Sequence, residues 1–452
     1  MKAEQSMKKV ITYGTFDMFH EGHYNLLKRA KELGDYLIVG ITTEQYDETR
    51  GKLNVVDSLI TRIDNVRATG FVDEVVVEDH VGQKVEDIQK FGVDIFTVGS
   101  DWLGKFDYLK EYCEVVYLER TRNVSSTMKR IEGHPIIHIG VVGTGRVAGR
   151  FPEEAKYVSG VTVAGAYNPH GEHAKEYANA HELSFWEDDY DRFLEKVDAV
   201  YIASPHDTHY AYTKAALEKG KHVLCEKPFV LQKSQAEELF EIAEENHCVL
   251  MEAIKTAYCP GFNQVITVAK SGVIGQIRDV EASFSRLTPP EMRERSDVRY
   301  GGSFTEFGSY TLLPVVKLLG KEVRDVRFDS IKDENGVDLY TKAAFSFDNG
   351  LALSKTGVGV KTEGQLLIAG TAGYILVKSP WWLTQGFEVR YEDANKKDVY
   401  SSRFLGRGLR YEISDFARAI LGNGNTSYKL TRGESIVMAD IMERFLETRK
   451  CE

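Results

Sequence analysis

The chain has 452 residues, which is enough for about two or three domains of typical size. Its composition, 42% hydrophobic and 28% charged, is that of an ordinary globular protein, and a formal net charge of -11 argues against a nucleic-acid-binding protein, whose phosphate contacts need a basic surface. The sequence has no apolar stretch of roughly 18 residues and begins with a polar N-terminus, which predicts a cytoplasmic protein with no membrane partner. Its five cysteines are scattered and show no CxxC spacing, which predicts free thiols.

The first third of the chain alternates short apolar runs with amphipathic segments. The predicted strands are Lys9–Tyr13, Tyr36–Ile41, Val75–Glu78, Ile95–Val98 and Val115–Leu118, and the predicted helices are Tyr24–Leu33, Ser58–Ala68 and Val85–Lys90. This alternation predicts a parallel sheet covered by helices. The polar segment Thr127–Pro135 interrupts the alternation, so we place the first domain at residues 1–132.

A second alternating series follows that segment and predicts another parallel sheet, in residues 133–256. Its strands are Ile136–Val142, Val161–Ala166, Ala199–Ile202, His222–Leu224 and Val249–Met251, with helices His209–Lys219 and Lys233–Asn246. In residues 257–452 the strand-like runs become longer and alternate apolar with polar residues, as in an antiparallel sheet with one open face. These runs are Asp279–Phe284, Val323–Asp329, Leu339–Phe347, Leu351–Val358, Gly364–Ala369 and Phe387–Tyr391, before a last helix, Arg432–Thr448, that we expect to pack back on the second domain. The fold class is α/β.

A histidine pair follows the first predicted strand. Gly14-Thr15-Phe16-Asp17 ends the strand, and His20-Glu21-Gly22-His23 begins the next helix. Glycine lets the backbone approach a ligand, and a helix N-terminus offers free N–H groups to an anion. The two histidines share one helical face, which suits a phosphate whose charge grows during transfer. A capping or core pair and a metal pair are the alternatives, although no third metal ligand is evident nearby.

The first domain carries a recognisable pattern beyond this pair. The run from Gly14 to Ile41, GTFDMFHEGHYNLLKRAKELGDYLIVGI, resembles the opening of the HxGH nucleotidyltransferase superfamily. Residues 7–128, which include VGSDWLGKFDYLKEYCEVVYLERT, resemble the glycerol-3-phosphate cytidylyltransferases more closely. The resemblance implies a Rossmann-like fold, CTP and a polyol phosphate as substrates, and Mg²⁺ that enters with CTP rather than a metal site built from protein side chains alone.

The same resemblance implies individual roles. His20 and His23 would contact the triphosphate and stabilise the transition state, and Arg62 would meet the acceptor phosphate. Lys52 lies where the family places lysines, with a solvated charged loop as the alternative. The other residues implied to bind CTP are Thr15, Phe16, Asp17, Asp101, Arg120, Thr121, Ser125 and Ser126. In the last motif Asn123 replaces the usual glycine, and asparagine tolerates a positive φ better than most residues.

A glycine-rich turn marks the start of the second domain. Gly143-Thr144-Gly145-Arg146-Val147-Ala148 reads GxGxxA between a strand and a helix, which predicts binding of a dinucleotide pyrophosphate. Asn168 stands where an acidic residue would bind the ribose 2′-hydroxyl, so the cofactor is NAD or NADP. The residues predicted to contact it are Gly143, Thr144, Gly145, Arg146, Val147, Asn168, Ser204, His209, Glu226 and Lys227.

The motifs GTGRVA, ASPHDTH and CEKP together resemble the glucose–fructose oxidoreductase/inositol dehydrogenase (Gfo/Idh/MocA) family from about residue 136 onward. The resemblance implies that Lys227 is catalytic, that Glu306 replaces the usual aspartate and that Tyr310 takes the place of a catalytic histidine. Glu306 and Tyr310 share a helical face, and a nearby ammonium would lower the pKa of Tyr310 and make it a general acid. A salt bridge for Glu226 and a packing role for Tyr310 are the alternatives.

These patterns predict a bifunctional enzyme. One half would transfer a cytidylyl group to a polyol phosphate, and the other would interconvert a carbonyl and a hydroxyl on a small sugar or polyol with NAD or NADP, for a cell-surface polysaccharide or teichoic-acid-like precursor. The alternatives are an adenylyltransferase as the N-terminal half, or one half that binds a ligand without turnover. Relatives of both halves commonly associate, which implies a homo-oligomer.

Overall fold

The structure is a computed structural model that describes residues 7–53, 55–119, 136–422 and 427–450. In these residues the strands form three sheets. Two are wholly parallel and the third is mixed, so the predicted α/β fold class is confirmed.

The first sheet is built from β1 (Lys9–Gly14), β2 (Tyr36–Thr42), β3 (Glu74–Glu78), β4 (Ile95–Gly99) and β5 (Glu114–Leu118), with helices α1 (Glu21–Lys31), α2 (Glu44–Arg50), α3 (Leu59–Ala68) and α4 (Gln83–Phe91). Its strand order is β3-β2-β1-β4-β5. The central strands are apolar and buried on both faces, as expected of a parallel sheet between helices. The carboxyl ends of β1, β2 and β4 therefore meet at one edge, where ligands bind in such folds.

The second sheet is built from β6 (Ile137–Val142), β7 (Val161–Tyr167), β8 (Phe185–Glu187), β9 (Ala199–Ile202), β10 (His222–Glu226) and β11 (Leu250–Ala253), with helices α5 (Phe151–Ala155), α6 (Gly171–Ala180), α7 (Tyr190–Leu194), α8 (His209–Glu218) and α9 (Lys233–Glu245). Its strand order is β11-β10-β9-β6-β7-β8. The order reverses beside β6, so the glycine-rich turn after β6 lies at the switch point where dinucleotides bind.

The third sheet is built from β12 (Ile277–Ser285), β13 (Asp325–Lys332), β14 (Asp338–Ser346), β15 (Leu351–Gly357), β16 (Leu366–Gly370), β17 (Tyr374–Val377), β18 (Gly386–Arg390) and β19 (Lys397–Ser401), with helices α10 (Lys255–Tyr258), α11 (Pro260–Lys270), α12 (Arg293–Ser296), α13 (Ser303–Leu319), α14 (Leu409–Leu421) and α15 (Arg432–Lys450). Its strand order is β13-β14-β15-β12-β16-β17-β18-β19, antiparallel except for the pair of β12 and β15. Helix α13 packs on β12 and β15.

A continuous apolar core joins the second and third sheets, whereas the first sheet has core clusters of its own. Helix α15 packs against both α9 and α13 and so ties the third part of the chain to the second. Among the helices that the structure describes, none has the length and apolarity needed to cross a membrane.

Candidate active sites

The two histidines of the first domain stack on each other at the start of α1. His20 caps the helix, because its Nδ1 accepts the N–H of Gly22 at 3.0 Å. The rings of His20 and His23 lie 3.9 Å apart at an angle of 21°. Phe16 and Phe19 hold the other sides of the His23 ring, with centroids at 5.4 and 5.5 Å.

Burial lowers the pKa of His23 well below its ordinary value, and the charges of His20 and Lys52 lower it further. The ring is therefore neutral at pH 7 and offers one N–H donor. Its Nδ1 is buried and has no hydrogen-bond partner within the residues that the structure covers. His23 is thus a neutral hydrogen-bond donor that is held in place by its stacking on His20.

The segment between β1 and the histidines is strained and anchored. Phe16 and Met18 have φ angles of +52° and +47°, which are unfavourable for residues other than glycine. The carboxylate of Asp17 accepts the backbone N–H groups of Val56 at 3.1 Å and Asp57 at 2.8 Å. Asp57 in turn accepts the N–H of Met18 at 2.9 Å. Asp17 therefore fixes the loop before α3 against the site, and its contact with CTP stays a prediction.

Arg62 lies beneath this edge of the sheet with a fully buried side chain. It donates to the carbonyl oxygens of Thr15, Thr42 and Asp57 at 2.8–3.0 Å and pairs with the carboxylate of Glu44 at 3.1 Å. The guanidinium thus joins the ends of β1 and β2 to α2 and α3. A contact with the acceptor phosphate would require it to leave these partners, so that role stays a prediction.

We expect Arg62→Met to destabilise the first domain by about 3–5 kcal/mol, because the variant leaves a carboxylate and several carbonyl groups without their buried partner. Calorimetric unfolding of the whole chain checks this, since the first domain should melt earlier than in the wild type. Arg67→Met, an exposed arginine of the same helix, is the control and should melt like the wild type. Equal melting of the two variants would contradict the argument.

Lys52 and Asp101 reach the same edge of the sheet. Burial lowers the pKa of Lys52, and the carboxylates of Asp47, Asp17 and Asp101 oppose this effect from nearby. Asp101 lies in the short turn Ser100–Trp102 that directly follows β4. The structure therefore brings together the histidine pair, Lys52 and Asp101.

Four other predicted CTP contacts, Arg120, Thr121, Ser125 and Ser126, lie outside the described residues. Within the described ranges no group of three or more His, Cys, Asp or Glu side chains could hold a metal ion.

The glycine-rich turn after β6 has the shape that a dinucleotide needs. Gly143 has a φ of +89°, and a Cβ there would lie 2.8 Å from the carbonyl oxygen of Ala203. A Cβ on Gly145 would meet no atom within 4 Å, so open space lies over this part of the turn. Val147 then leads into the turn Ala148–Arg150 that precedes α5. The residues present fit a pyrophosphate laid against the backbone.

Side chains around the turn hold one another. Asn168 donates from Nδ2 to the hydroxyl of Thr144 at 2.8 Å and accepts the N–H of His170 at 2.9 Å. Arg146 pairs with Glu294 of α12 at 2.5 Å. Asn168 carries no charge towards the position of a ribose, which leaves NAD and NADP both compatible with the turn.

His209 is buried against two backbone carbonyl groups and does not face an open cofactor site. Its ring nitrogens lie 3.0 Å from the carbonyl oxygen of Ser204 and 2.9 Å from that of Pro228. Burial lowers the pKa of His209 to about 4, so the ring is neutral at pH 7 and its single N–H donates to one of these two carbonyl oxygens. A contact of His209 or Ser204 with the cofactor stays a prediction.

Lys227, Glu306 and Tyr310 meet in space, although 79 residues separate the first two along the chain. The Nζ of Lys227 donates to the carbonyl oxygen of Glu306 at 3.0 Å and lies 3.7 Å from its carboxylate. The same Nζ stands 5.8 Å from the centre of the Tyr310 ring. Glu226, just before the lysine, accepts from Tyr201 at 2.6 Å, and burial raises its pKa.

The expectation that Lys227 lowers the pKa of Tyr310 is wrong. Burial raises this pKa well above its ordinary value, and the carboxylates of Glu226 and Glu412 raise it further. The ammonium stands over the ring face and does not offset these effects. Tyr310 therefore keeps its proton at neutral pH, as a proton donor must.

Comparison with known proteins shows that the first domain is similar to cytidylyltransferases. Residues 11–139 match the family described as cytidylyltransferase-like. Over 121 residues the chain is 53% identical to the glycerol-3-phosphate cytidylyltransferase of Bacillus spizizenii, a stretch that covers 27% of this chain and 93% of that protein. The corresponding enzyme of Staphylococcus aureus is 46% identical over 121 residues, 27% of this chain and 91% of that protein.

The rest of the chain matches oxidoreductases. Residues 137–254 match the oxidoreductase family with an NAD-binding Rossmann fold, and residues 262–376 match the Gfo/Idh/MocA C-terminal domain. The scyllo-inositol 2-dehydrogenase (NADP(+)) of Bacillus subtilis is 28% identical over 325 residues, 70% of this chain and 97% of that enzyme. A 3-ketoreductase from Actinomadura kijaniata, solved with NADP and TDP-benzene, shares the fold at 24% identity with a TM-score of 0.60, over 69% of this chain and 96% of its own.

The chain is a cytidylyltransferase fused to a Gfo/Idh/MocA oxidoreductase. The cytidylyltransferase part contains the histidine pair, and the oxidoreductase part contains the glycine-rich turn and Lys227. The sequence-based recognition of both families is thereby confirmed.

The oxidoreductase site also contains residues that sequence reasoning missed. Glu412 of α14 is fully buried, and both its carboxyl oxygens lack hydrogen-bond partners within the described residues. Burial and the neighbouring Glu226 raise the pKa of Glu412 well above its ordinary value. On the other side, Arg293 and His206 approach the carboxylate of Glu306 at 3.3 and 3.7 Å. His206 lies within the ASPHDTH motif, but no local motif marks Glu412 or Arg293, because only the folded chain brings them to this site.

A buried carboxyl beside this site predicts a pH-dependent stability. Burial raises the pKa of Glu252, at the end of β11, from 4.5 to about 7. The folded protein thus binds this proton more tightly than the unfolded chain, and the stability it contributes is complete below pH 4.5 and is lost as the pH rises through 7. We therefore expect Glu252→Gln to raise the melting temperature at about pH 8 and to match the wild type at about pH 4.5. A difference that does not change with pH would contradict this.

Proposed function

We propose that the cytidylyltransferase domain transfers a cytidylyl group from CTP to a polyol phosphate such as glycerol 3-phosphate. The observation that carries this proposal is the 53% identity to a glycerol-3-phosphate cytidylyltransferase across 93% of its length. A phosphate oxygen of the acceptor attacks the α-phosphorus of CTP, the bond to the β-phosphate oxygen breaks, and pyrophosphate leaves. Mg²⁺ bound to the CTP phosphates would neutralise part of their charge.

The side chains at this edge fit that reaction. The neutral ring of His23 donates a hydrogen bond to a phosphate oxygen without the cost of burying a cation, and the ring of His20 stacks beside it. Lys52 supplies positive charge, and the carboxylates of Asp47 and Asp17 oppose the lowering of its pKa by burial. The reaction needs little covalent chemistry from the protein, so positioning and charge carry the rate.

We infer that the oxidoreductase half interconverts a carbonyl and a hydroxyl on a small sugar or polyol. The reduced dinucleotide supplies the hydride when bound. In the reducing direction Tyr310 gives its proton to the carbonyl oxygen, and the nearby Lys227 stabilises the phenolate that remains. Glu306 holds Lys227 in place through its carbonyl oxygen and its carboxylate.

The fusion itself motivates a pathway: the reductase makes the polyol phosphate that its neighbour activates, as a precursor for a cell-surface polymer. The test supplies CTP, Mg²⁺, NADH or NADPH and a panel of ketose and aldose phosphates to the whole chain. We expect at least one phosphate to be reduced and then converted to its CDP derivative. If no phosphate undergoes both steps, the pathway is wrong. Pyrophosphate release from ATP in preference to CTP would instead support an adenylyltransferase.

A further inference from the structure

The loop that carries Lys52 is hydrogen-bonded to the oxidoreductase half. The N–H of Leu53 donates to the carbonyl oxygen of Tyr157 at 2.8 Å, and the N–H of Ser159 donates to the carbonyl oxygen of Leu53 at 3.0 Å. Leu53 and Val158 thereby form a parallel β-bridge between the two halves. The backbone of the loop is therefore fixed by a segment that belongs to the other enzyme.

The two residues that precede Leu53 are held in the same way. The Nζ of Lys52 donates to the carbonyl oxygen of Lys156 at 3.1 Å. The carbonyl oxygen of Gly51 accepts from Nη1 of Arg410 at 3.3 Å. Gly51 has a φ of +81°, and a Cβ there would lie 2.5 Å from this guanidinium, so the close approach requires glycine.

Arg410 is itself locked between two partners. Its guanidinium forms a two-pronged ion pair with Glu154, with distances of 2.9 and 3.1 Å, and both side chains are only 6% exposed. Burial alone would raise the pKa of Glu154, but the hydrogen bonds from Arg410 lower it, so the pair is ionised. The guanidinium also lies 3.9 Å over the ring of Tyr157. A bidentate pair of this kind fixes direction as well as distance.

Contacts continue along the edge of the cytidylyltransferase sheet. Lys156 donates from Nζ to the carbonyl oxygen of Asp101 at 3.3 Å. The ring of Tyr157 meets Trp102 edge-on at 6.1 Å. Gly160 faces the sulfur of Met18, because a Cβ there would lie 3.5 Å from that atom. These contacts fall on the segments after β1, α2 and β4, which also carry the histidine pair, Lys52 and Asp101.

We propose that residues 154–159 and Arg410 of the oxidoreductase half are positioning residues of the cytidylyltransferase site, which act on CTP through Lys52. The inference rests on the proposed cytidylyl transfer. These residues, which we call the clamp, fix the backbone on both sides of Lys52 and hold its ammonium at the site. Because the loop is already ordered, nucleotide binding does not have to pay the entropy of ordering it. The cytidylyltransferase site of this chain is thus completed by its fusion partner.

The test is a double variant, Glu154→Gln with Arg410→Met, which removes both charges of the pair at similar volume and leaves no buried charge unpaired. We expect the KM for CTP to rise about tenfold while kcat changes by less than about twofold, because a loosened Lys52 weakens nucleotide binding more than it alters the bound complex. The dissociation constant of CTP, measured by calorimetry on the whole chain without acceptor, should rise by the same factor.

The matched control is Lys317→Met with Glu434→Gln, a pair of similar burial at 2.9 Å that joins α13 to α15 inside the oxidoreductase half. It should leave CTP binding unchanged. Should the first double variant melt early, Tyr157→Leu removes the ring between Arg410 and Trp102 and is expected to weaken CTP binding in the same direction.

Unchanged KM and dissociation constant for CTP in both clamp variants would overturn the inference. An equal loss in the control pair would overturn it too, since the effect would then be one of general stability. A wild-type chain that binds CTP but forms no CDP-polyol overturns the proposed reaction alone, because the effect of the clamp on CTP binding is still measured directly.

Discussion

His23→Ala is expected to lower kcat for cytidylyl transfer by about a thousandfold and to leave carbonyl reduction by the same chain unchanged. The ring of His23 is stacked on His20 and held by Phe16 and Phe19, so its donor is fixed in one direction before any ligand arrives. A donor held in this way needs no rearrangement as charge grows on the transferred phosphate. Alanine removes the donor, and no neighbouring ring is free to take its place, because His20 is committed to capping α1.

The measurement is pyrophosphate release with CTP and glycerol 3-phosphate at saturation. His80→Ala is the matched control, because His80 lies in the same domain but is exposed and pairs with Asp79 and Glu86. Reduction of a carbonyl substrate with NAD(P)H by the same sample shows that the oxidoreductase half is folded. If His23→Ala retains transfer within about tenfold of the control, the histidine pair is not the catalytic centre.

The fold could be predicted from the sequence where buried segments show a recognisable pattern of apolar residues. Strands such as β1 and β6 are apolar runs that end in glycine-rich turns, and their predicted limits agree with the structure to within a residue. Strand β19 was not predicted, because it lies almost wholly exposed at the edge of the third sheet and carries no alternation of apolar residues. Helix α2 was missed for a similar reason, since only Tyr46 and Asp47 of its seven residues are buried.

The candidate sites could be predicted where their functional residues are neighbours along the chain. The histidine pair and the glycine-rich turn each lie within about ten neighbouring residues, so the sequence predicts both. Glu412 and Arg410 come from α14, far along the chain, and only tertiary folding places them beside Glu226 and the Lys52 loop. The pKa of Tyr310 was misjudged for the same reason, because burial and a carboxylate from α14 outweigh the neighbouring lysine.

Lys227→Met is expected to lower carbonyl reduction by about a thousandfold and to leave cytidylyl transfer intact. Methionine keeps the length of the side chain but removes the charge that we propose stabilises the phenolate of Tyr310. The turn at Gly143 is untouched, so binding of the reduced dinucleotide, followed by its fluorescence, should persist. Lys233→Met, an exposed lysine a short distance along the chain, is the control and should reduce at the wild-type rate.

A double variant decides whether Lys227 and Tyr310 act as one unit. If Lys227 works by stabilising the phenolate that Tyr310 leaves behind, then Tyr310→Phe removes the same step, and combining it with Lys227→Met should cost no more than either change alone. Multiplied losses would mean that the lysine contacts the substrate independently of the tyrosine. Because the Nζ of Lys227 stands over the ring of Tyr310 at 5.8 Å and bonds to the backbone of the same helix, we expect the losses not to multiply.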